Sequence, residues 1–186
     1  TATFCQMVSI AYDYCWHWQN PKPQGEHLKD VFFINSSEGW CVGANGTILK
    51  TSNSGKFWSL QASQTKQTLN SIFNLNNQIS WVVGDNGTIL KSTNGGNTWN
   101  MQISNTTANL TCVYFLSDQA GWATSSTPSV FLKTTDGGLN WTQQTLPIQK
   151  AYNSITFVGN DVGWIVGDDG TILKTSDGGI TWVSQT

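Results

Sequence analysis

Arginine is missing from this chain of 186 residues. All nine basic side chains are lysines, set against eleven acidic ones, and the net charge is −2. A nucleic-acid partner normally needs a basic patch and arginine forks, so this composition argues against one. Charged residues make up only 11 % of the chain, and Glu26 and Glu38 are its only glutamates. No apolar run approaches the ~20 residues a membrane-spanning helix requires. The segment before Ala11 is mildly apolar but has no basic leader, so it does not read as a signal peptide. The absence of an initial Met marks a mature form or a fragment. Two histidines and four cysteines (Cys5, Cys15, Cys41 and Cys112), with no C-x-x-C spacing, do not make a zinc site. Nothing identifies a cofactor or a metal. One disulfide in a secreted protein is the better reading of the cysteines. Proline is sparse, no stretch is of low complexity, and the length alone predicts one domain.

What the chain does have is repetition. Four copies of one motif close on Trp58, Trp99, Trp141 and Trp182, spaced 99−58 = 41, 141−99 = 42 and 182−141 = 41. A second set, Trp40, Trp81, Trp122 and Trp164, keeps the same step. Repeats of this period indicate a stack of like supersecondary units. Each copy contains four short segments. The first is an apolar run, such as Val31-Phe32-Phe33-Ile34 or Ile155-Thr156-Phe157-Val158, with both faces apolar, as in a sheet covered on both sides. The second is Gly39-Trp40-Cys41-Val42-Gly43 and its kin, and the third is Gly46-Thr47-Ile48-Leu49-Lys50 and its kin. Asn45-Gly46, Asn86-Gly87 and Asp169-Gly170 join these two segments and favour a tight hairpin. The fourth segment opens at the closing tryptophan.

Between the third and fourth segments lies a box. Its key residues are Asn53, Gly55 and Trp58; Asn94, Gly96 and Trp99; Asp136, Gly138 and Trp141; and Asp177, Gly179 and Trp182. The Asn or Asp can accept from backbone N–H groups ahead of it, the glycine can turn left-handed, and the tryptophan can tuck beneath the turn. Each repeat is therefore a four-stranded antiparallel meander, and such sheets pack radially as blades of an all-β propeller. The predicted organisation is an N-terminal half-blade hairpin and linker (1–27) and four blades (28–68, 69–109, 110–151 and 152–186), all in one domain.

The box resembles the Asp-box, or BNR repeat. The longer pattern, Gly-Trp-x-Val-Gly-x-x-Gly-Thr-Ile-Leu-Lys-Thr-x-Asp-Gly-Gly-x-x-Trp, resembles the photosystem II stability/assembly factor-like repeats, which are also common in secreted bacterial proteins. The resemblance covers about Leu28 to Gln185. It implies a propeller, and leaves function open because Asp-boxes shape turns in many unrelated proteins.

The N-terminal end departs from the pattern. Ser9 to Trp16 has the spacing of a decayed box, preceded by a strand at Phe4 to Val8, which puts Cys5 and Cys15 on neighbouring strands within disulfide reach. Cys41 and Cys112 read as buried free thiols. Half a blade followed by four leaves three readings: the front of a longer protein, an open arc whose edges associate with another chain, or a closed four-bladed ring.

Several positions have both a functional and a structural reading. Lys50, Lys91, Lys133 and Lys174 occupy one repeat position, either as a cationic ring for an anionic polymer or as strand ends whose stems lie over a tryptophan. Tyr12, Tyr14, Trp16 and Trp18 share one strand face, as a sugar-binding platform or as cover for the first blade. Repeat three is one residue longer around Thr124 to Val130, which marks a binding loop or a drifting surface turn. Asp85, Asp168 and Asp169, near the hairpin turns of repeats two and four, read as turn formers, or as acids or calcium ligands. The predicted function is a non-enzymatic binding or scaffold module for a protein or glycan, secreted, at the cell surface or periplasmic. One alternative is part of an Asp-box glycoside hydrolase, which needs two carboxylates flanking the bond, and no convincing pair is present. Another, which the family resemblance implies, is an assembly factor for photosystem II. Its photosynthetic members are associated with an arginine-rich patch that this chain lacks.

Overall fold

Among the described residues, apolar runs punctuated by left-handed turns fold into sixteen strands. In the computed structural model, the structure describes residues 25–126 and 129–185. The first sheet holds β1 (Leu28–Phe33), β2 (Gly39–Gly43), β3 (Ile48–Thr51) and β4 (Ser59–Gln61). The second holds β5 (Leu69–Asn74), β6 (Ser80–Gly84), β7 (Ile89–Ser92) and β8 (Asn100–Met101). The third holds β9 (Leu110–Phe115), β10 (Gly121–Ser125), β11 (Phe131–Thr134) and β12 (Thr142–Gln143). The fourth holds β13 (Tyr152–Val158), β14 (Val162–Gly167), β15 (Ile172–Thr175) and β16 (Val183–Ser184). Each sheet pairs its strands antiparallel in chain order, which makes four meanders. The first strands of successive sheets, β1, β5, β9 and β13, approach one another, so they form the inner side of a propeller arc. The predicted half-blade, the Cys5–Cys15 pair and the Tyr12, Tyr14, Trp16 and Trp18 platform lie outside the described residues.

The hairpins between second and third strands are closed by paired left-handed residues. Asn45 and Gly46 have φ of +52° and +69°, and Asn86 with Gly87 and Asp169 with Gly170 repeat the pattern. Two positive φ values in succession match the twist of the flanking strands, and Asn, Asp and Gly tolerate them best.

The boxes are hydrogen-bonded knots. In the fourth, the Thr175 hydroxyl donates to Asp177 Oδ1 at 2.7 Å and accepts from the Gly179 N–H at 3.0 Å. Asp177 Oδ1 also accepts from the Thr181 N–H at 2.9 Å, and its Oδ2 accepts from the Thr181 hydroxyl at 2.6 Å. Boxes one to three keep the same scheme around Asn53, Asn94 and Asp136. Where the side chain is Asn94, its Nδ2 donates to the Thr98 hydroxyl instead.

Three apolar clusters join the blades in sequence. Trp40, Val42 and Ile48 of the first blade pack on Leu69, Ile72 and Trp99 of the second. Trp81, Val83 and Ile89 pack on Leu110, Phe115 and Trp141. Trp122 and Phe131 pack on Tyr152, Phe157 and Trp182. Trp81 stacks on Phe115 at 3.5 Å between ring centroids, and Trp122 stacks on Phe157 at 4.4 Å. The second-strand tryptophans also press on the next box: a Cβ on Gly96 would lie 3.0 Å from Trp40 Nε1, and one on Gly179 2.8 Å from the Trp122 ring. The glycine is needed there for close approach as well as for its positive φ. Cross-strand pairs within a blade show the same economy of space. Gly39, Gly121 and Gly163 face Phe33, Phe115 and Phe157, whereas Ser80 faces the smaller Asn74.

Two predictions follow from these contacts. Gly87 and Gly170 hold the same repeat position, yet a Cβ on Gly87 would meet Thr106 O at 1.9 Å, while one on Gly170 meets nothing within 4 Å. Gly170→Ala should therefore cost about 1–2 kcal/mol for its left-handed backbone alone. Gly87→Ala should cost at least ~2 kcal/mol more, because backbone must move. Equal shifts in urea midpoint for the two variants would refute this account. The second prediction concerns acid. The Thr181 hydroxyl, then the Thr181 N–H and the Thr175 hydroxyl, hold the Asp177 carboxyl below its ordinary range. The Asn140 N–H, then the Asn140 side chain and the Thr134 hydroxyl, lower Asp136 to about 2. Folded values below the unfolded ~4 mean that this stabilisation is present above about pH 4 and is lost as pH falls below it. Asp177→Asn adopts the Asn94 arrangement and has no carboxylate to protonate. Between pH 7 and pH 3 it should lose less stability than the wild type, measured by urea midpoints; identical losses would count against the account.

Candidate interaction surface

The repeated lysines are committed to the joints between blades. Lys50 Nζ lies 4.9 Å from the centre of the Trp40 ring and donates to Gly95 O of the next box at 2.9 Å. Lys91 lies over Trp81 and donates to Gly137 O at 2.8 Å, and Trp81 Nε1 donates to the same oxygen at 3.1 Å. Lys133 lies over Trp122 and donates to Gly179 O at 3.2 Å. Burial lowers the pKa of Lys91 and Lys133 from the ordinary lysine range. Lys174 lies over Trp164 in the last blade, with no further box among the described residues.

Four acidic side chains are likewise bonded within the fold. Asp30 accepts from the Val31 N–H with Oδ1 and, across the first joint, from the Ile72 N–H with Oδ2, at 2.8 and 2.9 Å. Asp85 and Asp168 accept from Asn70 and Asn153, and Asp169 pairs with Lys150 at 2.8 Å. Among the described residues no three His, Cys, Asp or Glu side chains gather as metal ligands would. Burial, then the Asp30 charge, pushes the Cys41 thiol up to about 11. Burial also raises that of Cys112. Both are free thiols held in the protonated form at neutral pH, Cys41 buried and Cys112 half-buried.

What the inner strands do present is a stripe of half-buried aromatic rings. Phe32, Phe73 and Tyr114 occupy one repeat position on β1, β5 and β9. Phe32 and Phe73 lie 5.6 Å apart between ring centroids, and Phe73 and Tyr114 lie 5.0 Å apart, tilted to each other by 59° and 52°. Ile34, Leu75 and Leu116, also half-buried, stand two residues further along each strand. In the fourth blade the aromatic position is Thr156, which is exposed. Rings tilted this way offer edges and clefts to apolar side chains rather than one flat platform for a sugar. The sequence carried the signal, an aromatic residue at this position in three copies out of four. Reading the strands as apolar on both faces hid the half-exposure of that position.

A groove of about 590 Å³ lies between the third and fourth blades, lined by Gln144, Leu146, Pro147, Ile180 and Trp182 among others. In the first two blades the corresponding turns use left-handed Gln64 and Asn105. Pro147 stands at that position in the third blade and cannot take a positive φ. No lining side chain is charged.

Solved structures of propellers share this architecture. YCF48 bound to D1 peptide is 17 % identical, with a TM-score of 0.60 over 95 % of this chain and 86 % of that one. YCF48 from Cyanidioschyzon merolae is 21 % identical, with a TM-score of 0.69, and the match spans 90 % of this chain but 58 % of that one. The Niastella koreensis GH74 enzyme is 20 % identical, with a TM-score of 0.69 over 84 % of this chain and 30 % of that one. At these identities the likeness shows the fold alone. No curated protein is similar enough in sequence to match. The family model described as photosynthesis system II assembly factor YCF48 matches twice, over residues 11–106 and 99–186, and the chain therefore belongs to that family.

Proposed function

We propose that this chain is a non-enzymatic protein-binding propeller of the assembly-factor type, which holds an extended segment of a partner along the stripe of Phe32, Phe73 and Tyr114. The tilt of those rings is the observation that carries the reading, because it suits apolar side chains better than a sugar face. Propellers place such surfaces on rigid strands, so little ordering cost falls on the protein itself. Family membership and the peptide in the name of one solved relative support a protein partner. The rings of the stripe carry no charge, so the recognised segment is apolar rather than acidic. A secreted, cell-surface or periplasmic setting rests on the resemblance to secreted repeat proteins. The glycosidase alternative draws on the fold shared with GH74 enzymes, but Asp30, Asp136 and Asp177 already spend their oxygens on backbone and hydroxyl donors.

The test is a calorimetric titration with the D1 peptide, compared with a peptide of equal length whose apolar residues are changed to serine. Saturable binding of the first is expected, weakened at least ~10-fold by Phe32→Ala, whose ring is half-buried at the end of the stripe. Equal binding of both peptides, or an unchanged affinity in the variant, rejects the stripe. Turnover of a plant or mucin polysaccharide, abolished by one Asp→Asn change, would replace the reading with an enzymatic one.

A further inference from the structure

The inner strands of the first three blades carry the same three tiers of side chains. Asp30, Ser71 and Cys112 hold one repeat position, two residues before the rings of Phe32, Phe73 and Tyr114. Ile34, Leu75 and Leu116 stand two residues after the rings. Residues two apart on a strand share a face, so the tiers are about 7 Å apart and pass from polar through aromatic to aliphatic. The polar tier is continuous, because the Cys112 thiol bonds with the side chains of Ser71 and Ser154 in the blades before and after it. Asp30 is its charged member, and it lies at the first joint between described blades. Its two oxygens are fixed by the Val31 and Ile72 N–H groups, and each keeps a further lone pair, so the carboxylate can accept again without moving. No lysine pairs with it among the described residues. Beyond burial, the larger cause, its charge raises the pKa of both Cys41 and Cys112, so its field reaches along the wall.

We infer that Asp30 sets the chemistry of one end of the recognised segment: an ammonium group, from a free amino terminus or a lysine side chain, sits on its carboxylate, and the apolar residues beside that group lie on Phe32 and the rings beyond. This rests on the reading of the stripe as a protein-binding surface and adds a charge requirement to it. Charge complementarity selects the occupant. A carboxylate terminus finds no fixed cation on this wall, because Lys50, Lys91 and Lys133 are committed to box carbonyls and Lys29, next to Asp30, stands on the other face of β1. An ammonium finds a half-buried carboxylate already oriented by backbone donors, and such charge-assisted bonds are the strong ones. Ser71 and Cys112 continue the tier without charge, so the preference is confined to the end of the segment at the first blade.

Calorimetric titration of the full chain with three versions of one short leucine- and phenylalanine-rich peptide tests it. One version has a free amino terminus, one is acetylated there, and one is acetylated and begins with lysine. The free-amine peptide, the lysine peptide or both should bind about tenfold more tightly than the neutral one. A gain with the free amine alone assigns the ammonium to a chain terminus, and a gain with lysine as well assigns it to either source. Asp30→Asn keeps an oxygen for the Ile72 N–H and should bring the three affinities together. Should that variant fold poorly, the wild type still decides, because added salt should narrow the gap between charged and neutral peptides. Saturating charged peptide should also slow the labelling of Cys112 by iodoacetamide, followed by peptide mapping. Equal affinity of the wild type for all three peptides overturns the inference and leaves the stripe standing. A preference that survives in Asp30→Asn, or labelling of Cys112 that the bound peptide does not change, overturns it too. Failure of every peptide to bind is the failure of the stripe itself, and this inference falls with it.

Discussion

Everything in this fold hangs on a tryptophan lying against a glycine of the following repeat. Trp40, Trp81 and Trp122 reach out of their own blades to Gly96, Gly138 and Gly179, so close that a methyl group would not fit without movement. Each contact buries a large ring, whose loss typically costs about 3–5 kcal/mol, and brings the next box within reach of a lysine amine. The box must therefore satisfy two demands at once. It turns the chain between its own third and fourth strands, and it presents a bare, left-handed glycine to the neighbour. The Thr or Ser hydroxyl and the Asn or Asp oxygen hold the loop in that shape, and the closing tryptophan fills the space beneath it.

The blade was legible in the sequence because its signals are local. Asn-Gly and Asp-Gly specify hairpins through backbone preference alone, and the box specifies its turn through side chains no more than four residues away. The order of strands followed from the short connections. The role of the lysines was harder to see, because the acceptor of Lys50 is Gly95, 45 residues distant, and no spacing rule connects them. The same holds for Asp30, whose oxygen reaches the Ile72 N–H across a joint. Both side chains are polar residues at strand positions, which in sequence look like surface. Their partners are backbone groups, which have no sequence signature.

The aromatic stripe was hidden for a different reason. A strand with apolar residues on both faces reads as wholly covered, yet position along the blade decides how much cover there is. On the inner strands Phe32, Phe73 and Tyr114 are half-buried beside fully buried Leu69 and Leu110. The carboxylates of Asp85, Asp136, Asp168 and Asp177 accept hydrogen bonds from neighbouring groups, and burial raises the pKa of both thiols. Half-exposed apolar rings remain on the inner strands, and exposed apolar side chains such as Leu60, Met101 and Ile103 lie on and beyond the fourth strands.

The box is written at the end of one repeat but acts on the tryptophan of the repeat before it. Sequence period and contact period are thus out of phase by half a unit. A duplication of forty-odd residues copies half of two different joints, and the new piece fits between its neighbours wherever it lands. Such an array can grow or shrink by whole repeats without a new interface having to evolve. The joint is thus a property of two neighbouring repeats, and no residue within a single repeat fixes how many follow it.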